Sequence, residues 1–171
     1  MKFLSHSILP LLLAATLLAP SCSSDDDGGT RPTPTGYDIY TAGYKTPGGK
    51  AVATVWKNGT ELYTLTDGSS YAEATALFRT GNSLYAAGYY MDGFEEEGVV
   101  WKNGQEFSDG QASGCQPYAI AVYGGDIFTA GTLFGTTRTA VVWHGEDIRY
   151  TLTDGSGHGE AYSMYVVPRY D

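Results

Sequence analysis

Histidine and carboxylate side chains, the usual metal ligands, are poorly placed in this sequence for binding a metal. His144 and His158 are far apart, and neither has a second histidine at the spacing that zinc-binding helices use. His158 lies in the glycine-rich stretch 155–159, which we expect to be a loop that exposes the ring. The acidic residues Asp92 and 95–97 favour a solvated loop over a cation site. We therefore expect no metal and no cofactor.

Nucleophilic catalysis would need an activated side chain, and none is evident. Cys115 has no histidine near it in sequence to stabilise a thiolate, and the chain has no Gly-x-Ser-x-Gly turn. We expect Cys115 to be a small buried residue, with a reactive thiol as the alternative. Glycoside hydrolysis requires two carboxylates at a fixed separation, one with a raised pKa, whereas most acidic residues here are expected in solvated turns. The sequence therefore predicts a protein that is not an enzyme.

The first 21 residues predict a secretory signal peptide. Lys2 gives a basic start, an apolar stretch runs from Ile8 to Leu18, and small residues lead to Cys22. The apolar stretch is too short to span a bilayer. The approach to Cys22 resembles a lipobox, and this resemblance implies that Cys22 becomes the lipid-modified first residue of the mature protein. A cleavable signal followed by an unmodified cysteine is the alternative.

Residues 22–36 predict a flexible tether. The three aspartates at 25–27 are similar to the export signal that sends lipoproteins of Bacteroidetes-type bacteria to the outer face of the outer membrane. The Gly-, Pro- and Thr-rich stretch behind them is typical of a flexible spacer. The resemblance implies an outer-membrane lipoprotein exposed at the cell surface, with a periplasm-facing orientation as the alternative. Contact with the membrane is expected through the lipid only.

The charge of the chain restricts its partners. It has 19 acidic and 10 basic residues, which gives a formal net charge of −9 at pH 7. A chain this acidic is repelled by phosphate groups. We therefore expect no nucleic acid among its ligands.

The remaining residues, 37–171, are marked by internal repetition, which predicts a single β-repeat domain. Four sequence blocks recur three times in the same order: a Tyr/Phe-x-Ala-Gly block at 38–44, 83–89 and 126–132; a Val-Trp block at 55–59, 100–104 and 142–145; an Asp-Gly pair beginning at Asp67, Asp109 and Asp154; and an apolar block at 76–78, 119–122 and 164–167. Gly43, Gly88 and Gly131 are spaced by 45 and 43 residues. The recurrence predicts three structural units of about 45 residues each.

Each block predicts a strand or a turn. The Tyr/Phe-x-Ala-Gly and apolar blocks are rich in strand-forming residues, and no segment has sustained helical periodicity. Asn-Gly at 58–59 and 103–104 favours a type I′ hairpin turn. The third copy has His144-Gly145 there and is one residue shorter, so we expect a different turn. The Asp-Gly pairs favour turns between outer strands. The fold class is therefore all-β, with four-stranded antiparallel units.

The order of the blocks makes the two ends of the domain complementary. The chain enters at a Tyr/Phe-x-Ala-Gly strand, so the first unit lacks the apolar strand that precedes this block in the other units. It finishes on an apolar strand, predicted at 162–167, that has no Tyr/Phe-x-Ala-Gly strand after it. We expect the last strand to complete the first unit.

The repeated pattern (D/S)-(I/L)-Y-x-A-G-Y, V-W-K-N-G and D-G-S resembles the blades of propeller-like repeat proteins found in secreted Bacteroidetes lipoproteins. The resemblance covers nearly the whole domain. It implies β-propeller-like packing of four-stranded units around an axis, and no known chemistry comes with it. Propellers usually have four to eight blades, so three units leave the closure open. The alternatives are part of a longer ring, a homodimer that completes one ring, or a β-trefoil, which has three units of four strands.

Aromatic residues, including 14 tyrosines, suggest what the domain buries and what it binds. One tryptophan per unit indicates a core between adjacent sheets; the predicted core of the repeat comprises Trp56, Trp101, Trp143, Tyr40, Tyr85, Phe128, Gly43, Gly88 and Gly131. Tyrosines outside the repeated blocks are candidates for surface contacts; they include Tyr63, Tyr71, Tyr90, Tyr118 and Tyr150. The sequence thus predicts a non-enzymatic binding or scaffold module for an unidentified protein or glycan. A carbohydrate-binding, lectin-like or carbohydrate-active protein is the alternative.

Overall fold

The computed structural model describes residues 33–107 and 113–170. These two ranges form an all-β structure with no helix, which confirms the predicted fold class, and none of their segments is a helix that could cross a membrane. All strands lie in one compact unit, Gly36–Asp171. The predicted signal peptide, Cys22, most of the tether and the turn at Asp109 lie outside the described residues.

The strands are short and follow the sequence blocks. In chain order they are β1 (Tyr40–Lys45), β2 (Val52–Lys57), β3 (Thr60–Thr64), β4 (Ala72–Thr80), β5 (Ser83–Asp92), β6 (Glu95–Lys102), β7 (Gln105–Glu106), β8 (Cys115–Tyr123), β9 (Asp126–Leu133), β10 (Thr139–His144) and β11 (Asp147–Thr151). The Tyr/Phe-x-Ala-Gly blocks lie in β1, β5 and β9, and the Val-Trp blocks lie in β2, β6 and β10. The first two apolar blocks lie in β4 and β8.

The described strands form three antiparallel sheets. Their orders are β1-β2-β3, β4-β5-β6-β7 and β11-β10-β9-β8. The central pairs have the same register, so Gly43 faces Thr54 and Gly88 faces Val99. The first sheet has only three strands because no apolar strand pairs with β1, whereas β4 and β8 occupy this edge in the other two sheets.

Two of the hairpin turns have the predicted conformation. Asn58 and Asn103 have φ angles of 52°, and the glycine after each is also in the left-handed region, as a type I′ turn requires. The third turn was predicted to differ from these two, and it does, although it is not one residue shorter. His144 pairs with Asp147 around two residues, just as Lys57 pairs with Thr60. Only the first of the two, Gly145, has a positive φ, which is the type II′ pattern.

Aliphatic and aromatic side chains fill the space between neighbouring sheets. One cluster joins the first and second sheets through Val55, Val99 and Trp101, and another joins the second and third through Tyr85 and Ile120. These contacts remove apolar surface from water, which is the main stabilising contribution to a fold of this kind.

The nine residues predicted as the repeat core are buried to different extents. The buried ones are Trp101, Trp143, Tyr85, Gly88 and Gly131, and the half-buried ones are Trp56, Tyr40, Phe128 and Gly43. Trp101 and Trp143 are only 2% and 0% exposed. Three of the half-buried residues belong to the first sheet, which has no apolar strand over its edge.

β4 and β8 each bulge next to a glycine of the neighbouring strand. Ala74 pairs with Gly88, Pro117 pairs with Gly131, and the register shifts directly after each pair. A Cβ atom on either glycine would lie 2.0 Å from a carbonyl oxygen of the bulged strand. Only glycine permits two backbones to approach this closely.

Two further predictions about secondary structure are wrong. Residues 162–167 were predicted to form a strand, but residues 152–170 form none. A strand requires a hydrogen-bonded neighbour, and in the described chain this segment meets no strand edge. Residues 95–97 were predicted to form a solvated loop with Asp92, but they begin β6. The hairpin pairing of Asp92 with Glu95 holds them in the sheet, which short-range charge patterns do not reveal.

Candidate functional site

A strip of tyrosines and planar polar side chains includes residues from all three sheets. We call it the tyrosine–carboxylate band; its members are Tyr44, Tyr71, Glu73, Tyr89, Gln116, Tyr118, Arg138, Glu160 and Tyr162. The sheets position it by repetition, because Glu73 of β4 and Gln116 of β8 occupy the same register position opposite β5 and β9. The band therefore combines side chains from distant parts of the sequence.

The first part of the band lies between the first two sheets. The ring centroids of Tyr44 and Tyr71 are 6.2 Å apart. The Tyr71 hydroxyl donates a hydrogen bond to the carboxylate of Glu73, which stands directly opposite Tyr89. This hydrogen bond is the main reason that the pKa of Tyr71 is raised to about 12. Burial is the main cause of the raised pKa of Tyr89, and the Glu73 carboxylate adds to it.

The middle of the band is a pair of tyrosine rings. Tyr118 of β8 is half-buried, and its hydroxyl donates a hydrogen bond to Oε1 of Gln116 at 2.6 Å. Its ring centroid lies 5.3 Å from that of Tyr162, with an angle of 36° between the planes. Tyr162 is 67% exposed. The pair therefore presents an aromatic surface to solvent, in which the half-buried Tyr118 supports the exposed Tyr162.

The last part of the band is an ion pair. Glu160 accepts hydrogen bonds from the Tyr162 hydroxyl and from Nη1 of Arg138, the latter at 2.6 Å. The hydrogen bond from Tyr162, followed by that from Arg138, lowers the pKa of Glu160, so this carboxylate is ionised at neutral pH. The Arg138 guanidinium also lies 5.5 Å from the centroid of the Phe134 ring. These contacts hold the charged groups in a fixed orientation.

The band offers two kinds of contact side by side. Its ring faces can pack against apolar C–H surface, while its hydroxyl, amide, carboxylate and guanidinium groups can hydrogen-bond to a polar ligand. Phenols with raised pKa values remain donors at neutral pH. Such a combination suits a ligand whose ring has an apolar C–H face and carries several hydroxyl groups.

The three tyrosines first proposed as surface contacts are differently placed. Tyr150 is 56% exposed, on β11, an outer strand far along the sheet from β8. Tyr63 and Tyr90 are half-buried and pack against the cluster between the first two sheets. Two other proposed residues, Tyr71 and Tyr118, are members of the band.

Sequence reasoning missed most of the polar members of the band. Residues 65–78 and 152–165 align without a gap, and this alignment equates Glu73 with Glu160. A comparison of the repeat copies position by position would therefore have found the two glutamates. It would not have found Gln116 as their counterpart, because the residues before β8 have diverged.

The repeated Asp-Gly pairs act in turns. Oδ1 of Asp67 accepts a hydrogen bond from the N–H of Ser69 at 2.8 Å, and Oδ1 of Asp154 accepts one from the N–H of Ser156 at 3.0 Å. In both cases the hydrogen bonds from the serine lower the pKa of the aspartate. These carboxylates are thus engaged in local structure.

The histidines and Cys115 lie outside the band. His144 is 3.2 Å from the carboxylate of Asp126 and stacks on a phenylalanine ring, and Nδ1 of His158 accepts the backbone N–H of Arg138 at 3.1 Å. Cys115 is fully buried, and burial raises its pKa to about 11. Within residues 33–107 and 113–170, no three His, Cys, Asp or Glu side chains are grouped closely enough to hold a metal ion.

A concave surface lies at the ends of β4 and β8 that are remote from the band. It is an apolar groove of about 510 Å³, and its lining includes Leu77, Phe78, Ile120, Met164 and Val166. Almost no charged group borders it, so it lacks the polar contacts that would orient a specific ligand.

Comparisons with known proteins identify no relative. No family model, no curated protein and no solved structure matches this chain.

Proposed function

We propose that this protein is a non-enzymatic binding module that is displayed on the cell surface by a lipid on Cys22 and recognises a glycan through the tyrosine–carboxylate band. The observation that carries the proposal is that all three sheets contribute to the band. Each sheet contributes a tyrosine, and polar groups lie directly beside these rings.

The chemistry of the band favours a sugar over an apolar peptide. Sugar rings have apolar C–H faces that pack on tyrosine, and hydroxyl groups that pair with carboxylate, amide and guanidinium groups. The pair of Tyr118 and Tyr162 supplies the aromatic surface, and Gln116 and Glu160 supply planar hydrogen-bonding groups at its border. A neutral glycan also avoids the repulsion that the acidic chain exerts on anions.

The state of Glu160 favours binding over hydrolysis. A glycosidase needs a carboxylic acid with a raised pKa to protonate the leaving group. The pKa of Glu160 is lowered by Tyr162 and Arg138, so it is an ionised hydrogen-bond acceptor at neutral pH and not a proton donor. This supports the role of a ligand-binding carboxylate.

The arrangement of the sheets supports propeller-like packing as the framework of the module. Edge strands of neighbouring sheets contact one another, β1 of the first sheet with β4 of the second and β4 with β8 of the third, as the innermost strands of propeller blades do. Thr75 Oγ1 of β4 donates a hydrogen bond to the Pro117 carbonyl of β8 at 2.5 Å, and so ties two sheets together. Repetition of one unit around an axis would give a ligand several similar subsites.

Glycan binding tests the proposal directly. The purified protein should retain a defined set of sugars on a glycan array, and Tyr118→Ala and Tyr162→Ala should each weaken that binding about tenfold or more, since an aromatic stacking contact typically contributes about 1–2 kcal/mol. Tyr150→Ala is the control for Tyr162→Ala, because Tyr150 is also exposed (56%, against 67% for Tyr162) but lies outside the band. Binding unaffected by both band variants, or release of reducing sugar by the protein, would contradict the proposal.

A further inference from the structure

Among the described residues, the edge of β1 is open at a position that is covered in the other two sheets. In this part of the chain β1 pairs with β2 alone, whereas β5 and β9, its counterparts, also pair with β4 and β8. Thr41 in β1 is exposed, but the residues at the same register position in the other sheets, Ala86 and Thr129, are 3% and 1% exposed. The first sheet thus exposes a surface that its counterparts bury under an apolar strand.

Gly43 leaves room for the backbone of a bulged strand to approach β1 closely. A Cβ atom on Gly43 would meet only the Trp56 ring, at 3.4 Å, which is an ordinary contact. At Gly88 and Gly131, in the same register position, a Cβ would lie 2.0 Å from the backbone of the bulged strand. Nothing inside the described chain therefore requires glycine at position 43, whereas a bulged strand placed on β1 would require it.

The segment after β11 has the sequence and the contacts of an apolar strand. Residues 152–165 align without a gap with 65–78, which contain all of β4 except its last two residues. The N–H of Ala72 donates a hydrogen bond at 2.9 Å to the carbonyl oxygen of Ala51, the residue before β2. The N–H of Gly159 donates one at 2.8 Å to the carbonyl oxygen of Arg138, the residue before β10. The segment is therefore joined to the third sheet by the same backbone hydrogen bond that joins β4 to the first sheet.

The apolar side chains at the end of this segment are exposed in the described part of the chain. Tyr165 and Val167 are 90% and 65% exposed. Ala121, the counterpart of Tyr165 in β8, is 5% exposed because β8 is paired in a sheet. Exposed apolar side chains at strand positions indicate a surface that is covered by a partner.

We infer that residues 159–167 of one copy pair with β1 of a second copy, and reciprocally, to form a closed symmetric dimer. The register of the other sheets places Ala161 opposite Gly43 of the second copy, as Ala74 stands opposite Gly88. Each copy contributes the same two surfaces, the edge of β1 and residues 159–167, as a two-fold interface requires.

The positions of the two surfaces favour a second copy over closure within one chain. β1 contacts β4, β4 contacts β8, and Tyr123 of β8 and Tyr170 are joined through their hydroxyls at 2.8 Å. The open edge and the unpaired segment are thus at opposite ends of one row of strands. Two copies would contribute six sheets to one ring, which lies within the range of four to eight blades that propellers form.

The dimer would also extend the tyrosine–carboxylate band. Glu160 of one copy would stand opposite Tyr44 of the second copy, as Glu73 stands opposite Tyr89. The dimer itself rests on the strand edges and not on the proposed ligand, so mass and glycan binding test the two proposals separately.

Sedimentation of the secreted, lipid-free Cys22→Ser protein tests the inference. It should have the mass of two copies at micromolar concentration. Gly43→Ala should have the circular dichroism of the parent and dimerise about ten- to a hundredfold more weakly, because its Cβ would overlap the incoming backbone. Gly88→Ala is the matched control: the same overlap occurs inside one chain, so it should impair folding instead.

A cysteine pair provides a second, independent measurement. Ala42→Cys with Ser163→Cys, in the Cys22→Ser background, should form a disulfide between two copies, because the counterpart residues Ala76 and Ala87 are directly paired. A single-copy mass at all concentrations, a dimer that Gly43→Ala leaves intact, or a disulfide within one chain would each overturn the inference.

Discussion

Oδ1 of Asn103 accepts a hydrogen bond from the backbone N–H of Leu84 at 2.9 Å. The same asparagine has a φ angle of 52°, so it stabilises its hairpin in two ways. Asn103→Gly keeps the left-handed backbone and loses the hydrogen bond, at a cost of about 1 kcal/mol. Asn103→Ala loses both and should cost about 1–2 kcal/mol more. Chemical denaturation should therefore rank stability as parent, Gly variant, Ala variant.

Asn82 provides the control for this series. It lies in the turn between β4 and β5 but has no positive φ. Asn82→Ala should therefore change the free energy of unfolding by no more than about 0.5 kcal/mol. Equal losses at Asn82 and Asn103 would show that the conformation of the Asn-Gly turn is not the cause.

Trp101 is the largest side chain of the cluster between the first two sheets and is 2% exposed. Trp101→Ala should reduce the free energy of unfolding by about 3–5 kcal/mol, because it removes buried apolar surface and leaves a cavity. Trp56→Ala should cost less, since Trp56 is only half-buried. Urea titrations followed by circular dichroism would compare the two, and equal costs would contradict the burial described above.

The phenols of Tyr71 and Tyr89 should lose their protons later than ordinary tyrosines. The folded pKa of Tyr71, about 12, lies above the ordinary tyrosine pKa of 10.0, and the pKa of Tyr89 is also raised. Their contribution to stability is fully present below pH 10 and is lost as the pH rises through about 12. Absorption at 295 nm should thus show a late phase that coincides with weakening of the fold.

Removal of the Tyr71 hydroxyl tests the assignment of that phase. Tyr71→Phe should reduce the amplitude of the late phase, because it removes the phenol whose pKa is raised to about 12. Tyr150→Phe, a change outside the band, should leave it as it is. A late phase that persists unchanged in Tyr71→Phe would show that another group titrates there.

Cys115 should react with thiol reagents only after unfolding. It is fully buried, and burial raises its pKa to about 11, so little thiolate is present or accessible at pH 8. In the Cys22→Ser protein, where Cys115 is the remaining cysteine, Ellman's reagent should react slowly under native conditions and rapidly in guanidinium chloride. Rapid reaction of the native protein would contradict this environment.

Cys22 should determine membrane attachment. If it carries the lipid, Cys22→Ser removes the anchor, and the protein should move from the membrane fraction to the soluble fraction. Protease added to intact cells should degrade the parent protein if it faces outward. Membrane retention of Cys22→Ser would contradict the lipoprotein proposal.

The parts of the structure that depend on neighbouring residues could be predicted from the sequence. The all-β class follows from β-branched and aromatic runs between turn residues, and the Asn-Gly turns follow from the ability of Asn58 and Asn103 to adopt positive φ. The turn at Gly145 shows the limit of this reasoning: its length is set by the pairing of β10 with β11, which the residue pattern of the turn did not reveal.

Only the tertiary structure decided which side chains are buried and which lie together. Trp56 and Trp101 have the same sequence context but different exposure, because Trp101 packs against Ala53 and Val55 of the first sheet, whereas among the described residues Trp56 belongs to no such cluster. Residues 162–167 have the composition of a strand and yet form none, since a strand exists only where another edge supplies its hydrogen bonds. By itself the sequence determined the backbone preferences of each block. Burial, pairing and the tyrosine–carboxylate band depend on contacts between distant segments, which no local pattern contains.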